Sequence, residues 1–415
     1  MTTGVETFFR SRWVSRPDGV RELEPSHLPA GFRAAAVATG SKPSGRLDVG
    51  VLVCDHDEAT STALFTTNAV AGAPVQVSRR AQLDRLRAVV VNAGNANVGT
   101  GARGIEVAEA MTAKVAGTIQ VEPARVGVAS TGVIAVQLER ERILEGIAGA
   151  LAGLSPDGGG DFSEAILTSD RGPKRACVEV GLSAGPVVVS VQCKGAGMIS
   201  PAFATMLCFV ETDAVVDAAT LNRMVRGATA RSFDRITVDG QLSTSDSLFA
   251  FASGASGCEV APKGGDERLF AAALGALFRQ LAVEIVADGE GATRVARLAV
   301  HGPAASVEPV ARAVGDSPLV KCALHGADPN WGRILQAAGQ AGGDAALDLS
   351  IEGIPVVRRG TDLPLGDDER RQLDESMRAS EVELALSIPG GDADAELFFC
   401  DLSEEYVRFN SEYTT

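Results

Sequence analysis

Near the midpoint of the chain, Lys194-Gly195-Ala196-Gly197-Met198-Ile199-Ser200-Pro201-Ala202-Phe203-Ala204-Thr205-Met206-Leu207 combines the residue types that a self-cleaving N-terminal nucleophile needs. A lysine leads through two glycines and a proline into Ala204-Thr205, and an apolar run over 206–210 follows. Such a turn can strain the Ala204–Thr205 peptide, and the Thr205 hydroxyl can attack the carbonyl before it. Water would hydrolyse the resulting ester and leave Thr205 as the first residue of a second polypeptide. Its free α-amine, with an ordinary pKa of about 7.7–8.0, would then serve as general base for its own hydroxyl. Without further context the same residues also fit a glycine loop with a threonine opening a strand.

The elements that must hold this segment follow from periodicity. Positions 49–54, 63–66 and 88–92 read as strands, and 206–210 as the strand behind the nucleophile. Helices are predicted over 104–119, with Ile105, Ala108, Met111 and Val115 on one face, and over 138–154. Positions 177–182 and 187–192 predict paired strands joined by Ser183-Ala184-Gly185-Pro186. Asp213 or Asp217 would cap a helix reaching about Arg231, and Asp266 a helix over 267–287 closed by Gly289. A break falls at 293–295. Beyond it, Asp328 with Pro329 at the first helical position would start a short helix, and 367–380 gives another. Asp157-Gly158-Gly159-Gly160-Asp161 reads as a surface loop, and 1–26 as a charged extension without periodicity.

Composition narrows the function classes. Hydrophobic residues at 45% and charged ones at 22% suit a globular protein of two or three domains with a large core. A net charge of −15 argues against a nucleic-acid partner, which needs a basic face, but not against a small anionic substrate. The first 13 residues contain no apolar run, so no signal peptide is read, and no uninterrupted apolar stretch approaches the ~20 residues of a membrane helix. Seven dispersed cysteines without a Cys-x-x-Cys pair predict reduced, mostly buried thiols in a cytoplasmic protein. His27, His56, His301 and His325 lack ligand spacing, so no metal is expected. There is no phosphate-loop motif, and Gly99 with Gly101 is too little for a dinucleotide site.

Further segments recur in one order: Gly31-Phe32-Arg33-Ala34-Ala35 with Lys42-Pro43-Ser44-Gly45, then Phe65-Thr66-Thr67-Asn68 before Ala73-Pro74-Val75. Asn92-Ala93-Gly94-Asn95-Ala96-Asn97 and Ser130-Thr131-Gly132-Val133-Ile134 come next. After the 194–207 stretch come 232–239, 317–321, Asp328-Pro329-Asn330-Trp331-Gly332-Arg333 and the terminal Val407-Arg408-Phe409-Asn410-Ser411-Glu412-Tyr413-Thr414-Thr415. Together they resemble the ornithine acetyltransferase family, the glutamate N-acetyltransferases of arginine biosynthesis, over roughly 31–415.

The resemblance implies roles that the residues alone leave open. Ala204 and Thr205 match the family's cleavage pair, and Thr131 with Gly132 its oxyanion hole, a hydroxyl and a backbone N–H. Lys194, Thr168, Thr205, Glu290, Asn410 and Thr415 match its substrate contacts. Unaided, these residues read as a Ser-Thr-Gly turn, a strand-end lysine, a loop threonine, a helix C-cap loop and a frayed tail. Ser169 stands where the family usually has Thr, Asp234 where it has Asn, and Gln241-Leu242-Ser243-Thr244-Ser245-Asp246 departs from its Asp-Thr-Ser-Thr-Asn-Asp run. These departures bear on substrate preference more than on acyl transfer.

The expected fold is α/β, a layered sandwich of packed sheets flanked by helices with a smaller C-terminal α/β domain. The expected boundaries are an extension at 1–26, a main domain at 27–294, a smaller one at 295–400 and a tail at 401–415 that returns to the site. The expected activity moves acetyl from N2-acetyl-ornithine to glutamate through acetyl-Thr205. No cofactor is required, acetyl-CoA stays open as a second donor, and the two cleaved chains would associate as an α2β2 heterotetramer in the cytoplasm, with no nucleic-acid or membrane partner. Two alternatives stay open: a hydrolase or acyltransferase of another N-acyl amino acid, and an uncleaved binding paralogue without turnover.

Overall fold

The computed structural model describes residues 7–200 and 206–412. In chain order the first elements are β1 (Val20–Glu22), β2 (Phe32–Val37), β3 (Val49–Cys54), β4 (Thr60–Phe65), α1 (Ala73–Ser78), β5 (Ala88–Asn95), α2 (Gly101–Ile119) and β6 (Val126–Val133). Next come α3 (Arg140–Ala152), α4 (Gly159–Ala165), β7 (Lys174–Leu182), β8 (Gly185–Lys194), β9 (Leu207–Thr212), α5 (Ala218–Thr229), β10 (Ile236–Thr237), β11 (Ser247–Ala252) and α6 (Gly265–Ala287). The remainder is β12 (Val295–Gly302), α7 (Val307–Gly315), α8 (Pro318–His325), α9 (Trp331–Gln340), β13 (Asp348–Ile351), β14 (Ile354–Arg358), β15 (Thr361–Asp362), α10 (Asp367–Ser376), β16 (Glu381–Ser387), β17 (Ala393–Cys400) and α11 (Glu404–Glu412).

Alternation along the strands builds the layers, because successive side chains point to opposite faces. In β9, Cys208 and Val210 join the core under α5 and α6, whereas Leu207 and Phe209 face the other way. β11 repeats this, with Leu248 and Ala250 on one side and Phe249 and Phe251 on the other. The phenylalanines meet Phe32, Leu52, Val89 and Phe162 between two sheets. Val51, Val53 and Val90 then face Met111, Val115 and Ile147 of α2 and α3. The result is helices, a six-stranded sheet (order β1-β7-β8-β9-β11-β4), a four-stranded sheet (β2-β3-β5-β6), and helices again. Strands buried on both faces need continuous apolar runs, which explains Val-Gly-Val-Leu-Val-Cys in β3.

A third sheet, of order β10-β17-β12-β16-β13-β14-β15, is covered by α7, α8 and α9 over its own core of residues such as Val310, Leu324, Ala338 and Leu384. β10 pairs in parallel with β17, Ile236 opposite Phe398, which ties this unit to the layered part. The expected mixed α/β layering, with a further α/β unit at the C-terminal end, is therefore what the chain forms.

Several local expectations need correction. The 157–161 segment is not a loose loop: Gly158 caps α4 and Gly159 begins it. A Cβ on Gly158 would lie 1.8 Å from the Ala34 carbonyl oxygen, so these glycines permit close packing. Within the N-terminal segment β1 pairs antiparallel with β7, and Phe8, Phe9 and Trp13 pack against the main core. Asp266 lies inside the first turn of α6 and accepts from the Ser183 amide at 3.0 Å, so it is not the cap. Asn330, not Asp328, caps the helix after Pro329, accepting from the Arg333 amide at 3.2 Å. A cap followed by proline at the first helical position occurs instead at Ser317-Pro318 of α8. Asp217 caps α5, while Asp213 accepts from the Val188 amide. The last predicted helix stops at Ser376.

By length and composition α6 is apolar enough to cross a membrane, although Arg279 and Glu284 interrupt its apolar run. Its apolar residues, among them Phe270, Leu274, Leu277 and Phe278, are buried in the core beneath the six-stranded sheet. All seven cysteines are free, and only Cys322 is exposed.

Candidate functional site

A cavity of about 250 Å³ opens where β6, β8, the loop before β11, the turn after α6 and α11 converge. Thr131 and Gly132 of β6, Thr168, Lys194, Glu290 and Asn410 all line it. The structure thus brings together every predicted site residue that it describes. Ala204, Thr205 and Thr415 lie outside the described residues.

Thr131 and Gly132 sit near the C-terminal end of β6, beside a register irregularity in parallel β5 at Gly94 and Asn95. Gly132 has φ +123, and a Cβ there would lie 2.4 Å from the Gly94 carbonyl carbon. Only glycine fits this left-handed, crowded position. Behind the pair, the Ser130 hydroxyl bonds Asn92 Oδ1 at 2.6 Å.

The opposite wall carries charge. Lys194 Nζ ends β8 and donates to Thr168 Oγ1 at 2.7 Å, with Asp170 Oδ2 3.7 Å away. Asp170 has no exposed side-chain surface. Burial alone would raise its pKa, but the ammonium groups of Lys194 and Lys174 outweigh it and hold the carboxyl below the usual range. Lys174 bridges onward to Asp288, in the turn after α6.

At the far end, Glu290 Oε2 accepts from Asn410 Nδ2 at 2.9 Å, and the Glu290 amide donates to the Ala196 carbonyl at 3.0 Å. Gly291, at φ +74, lets α11 approach: a Cβ there would lie 2.6 Å from the Tyr406 amide nitrogen. Tyr406 also lines the cavity, and burial first, then Asp239 and Glu290, pushes its phenol up to about 12, leaving it a neutral donor.

The described backbone on either side of residues 201–205 is tied to side-chain carboxylates. Met198 adopts φ +58, uncommon for a side chain of its size. Asp239 accepts from the Met198 and Ile199 amides at 2.6 and 2.9 Å. After the undescribed residues, the Met206 amide donates to Asp246 Oδ1 at 3.0 Å, and burial holds the Asp246 carboxyl well above its usual range. Sequence reasoning assigned no role to Asp170, Asp239, Asp246 or Tyr406. Each stands within or beside a quoted motif, but their burial depends on strands distant in sequence. No group of metal-binding side chains occurs among the described residues.

The sequence pattern of the ArgJ family matches residues 33–415. The chain belongs to the ArgJ family. Arginine biosynthesis bifunctional protein ArgJ of Symbiobacterium thermophilum is 41% identical over 93% of this chain and 98% of its own. The protein of the same name from Chlorobaculum tepidum is 39% identical over 93% of this chain and 96% of its own. A crystal structure of arginine biosynthesis bifunctional protein ArgJ from Bacillus halodurans overlaps 49% of this chain and 98% of its own, with 33% identity and a TM-score of 0.46. Membership over nearly the whole chain bears out the resemblance read from the motifs, and with it an acyltransferase of arginine biosynthesis.

Proposed function

We propose that the chain cleaves itself between Ala204 and Thr205, then moves acetyl from N2-acetyl-ornithine to glutamate through acetyl-Thr205. The observation that carries this reading is one cavity with the glycine-bearing end of β6 on one wall, a buried lysine on another and a carboxylate at the far end. The Thr205 hydroxyl attacks the acetamide carbonyl while the α-amine takes its proton. Thr131 Oγ1 and the Gly132 amide would receive the oxyanion, and losing one such donor typically costs about 10²–10³ in rate. The C–N bond breaks, ornithine leaves with the proton, and acetyl remains as an ester. The glutamate α-amine attacks that ester, and the Thr205 oxygen leaves and recovers its proton.

Donor and acceptor share an α-carboxylate, for which Lys194 is a point charge with Thr168 as neighbouring donor. Glu290 suits the ornithine ammonium, and Asn410 brings the tail to it. Thr415 would complete this end. The finer expectations belong to the same proposal: the two chains associate as α2β2 in the cytoplasm, no cofactor is required, and acetyl-CoA serves as a second donor, in line with the relatives' bifunctional name. The proposed domain boundaries are 1–26, 27–294, 295–400 and 401–415.

The test supplies N2-acetyl-ornithine with and without glutamate and follows N-acetylglutamate and acetate. Acetylglutamate forming in step with ornithine is the expected result. Acetate released faster than acetylglutamate would replace transfer with hydrolysis.

A further inference from the structure

Four alternating charges run from the cavity wall through the buried Asp170 to a second hollow that Lys174 and Asp288 line: Lys194, Asp170, Lys174 and Asp288. Only the first lines the cavity. Asp170 is the hub. Its Oδ1 accepts from Lys174 Nζ at 2.8 Å and from the Gly195 amide at 2.7 Å. Its Oδ2 accepts from the Thr168 amide at 3.1 Å and faces Lys194 Nζ at 3.7 Å. One dry carboxylate thus fixes the Thr168 and Gly195 amides beside the Lys194–Thr168 pair and places a counter-charge near the lysine. Asp288 holds the outer end, accepting from Lys174 and from the Arg171 amide at 3.1 Å. It precedes Glu290 by two residues, so the same chain of charges braces the turn at the opposite end of the cavity.

Fixing two long side chains in one geometry is costly unless the surroundings pre-organise them. Lys194 and Lys174 are 4% and 5% exposed in their side chains, so an ammonium left there without its counter-charge would be strongly destabilised. We infer that Asp170 is the positioning residue for the carboxylate end of the substrate: it holds Lys194 and Thr168 where they read an α-carboxylate without touching the substrate itself. This rests on the acetyl-transfer reading and adds a residue to it.

The test compares N2-acetyl-ornithine with its α-carboxamide in wild type and Asp170→Asn. A general loss of folding lowers the active fraction for both donors alike and leaves their ratio unchanged. The positioning role predicts that the wild-type preference for the carboxylate shrinks about tenfold or more, through KM rather than kcat, as expected for losing aligned hydrogen bonds to a charged group. Asp170→Glu, which keeps the charge, recovers part of the preference. If Asp170→Asn is not recovered folded, Lys174→Gln, which loosens Asp170 from behind, is expected to narrow the preference about threefold in the same sense. An unchanged carboxylate-to-carboxamide ratio in the folded variant overturns the inference. A wild-type protein that moves no acetyl would instead remove the functional reading, so the two failures are distinguishable.

Discussion

Asp170 and Glu211 are both carboxyls enclosed by the layered part of the molecule, and they differ in charge. Asp170 lies behind the cavity wall between two ammonium groups that hold it ionised. Glu211 sits in β9 opposite Ser190, on the face toward the second sheet, with no hydrogen-bond partner at either oxygen. Burial pushes its pKa up to about 8. The same loss of water therefore gives a fixed negative charge at the site and a neutral acid in the core. Desolvation alone does not decide ionisation; the charges within a few ångströms do. The molecule keeps charge where the cavity needs it and expels it where sheet packs on sheet.

Substitutions can break that contrast, and the largest effect is expected at the charged cavity. Gly132→Ala would press a methyl group against the Gly94 backbone at φ +123 and move the amide proposed as an oxyanion donor. A loss of about 10²–10³ in kcat is expected, read by initial rates of ornithine release. A rate near wild type would remove Gly132 from the oxyanion hole.

In the core the expected effect is on stability and depends on pH. Glu211 has an ordinary value of 4.5 and a folded value of about 8, so between these the native state holds a proton that the unfolded chain has lost. The contribution is present at low pH and declines as pH rises, by up to about 1.4 kcal/mol per pH unit from this one group. Glu211→Gln removes that slope, and calorimetric melting at pH 5 and pH 8 should show the variant gaining on wild type at the higher pH. Parallel pH profiles would show that Glu211 is not a neutral acid in the native protein.

The smallest effect is expected at the exposed end of the cavity. Asn410→Ala removes one hydrogen bond to Glu290, and a rise of about 2- to 10-fold in KM for N2-acetyl-ornithine follows from the usual worth of such a bond. Unaltered KM would take the tail out of substrate recognition.

The layered part was legible because its strands are apolar runs and the β7–β8 hairpin falls where the turn residues stand, although the turn is only Ser183-Ala184 and Gly185-Pro186 already belong to β8. The same holds for α2, predicted over 104–119 and found as Gly101–Ile119. Caps were harder. Asp266 and Asp328 are good candidates by type, yet cap choice is settled by backbone dihedrals and neighbouring donors, which placed Gly264 and Asn330 there. The Gly158–Gly160 run looked flexible because glycine permits flexibility, but here it permits contact with the Ala34 and Ser26 carbonyls. At the site, residues inside recognisable motifs, such as Thr131, Lys194 and Glu290, could be named in advance. Asp170 could not, because its role arises only when β7, β8 and the turn after α6 bring Lys174, Lys194 and Asp288 around it.

The self-made nucleophile is tested most directly by intact-mass spectrometry of the denatured protein beside Thr205→Ala. Self-cleavage predicts two fragments that sum to the full chain plus one water, with Thr205 opening the second, and a single uncut chain without acetyl transfer for the variant. A folded, aged wild-type sample with one full-length mass, or two chains from Thr205→Ala, would contradict it and favour an uncleaved binding protein or a different cleavage site.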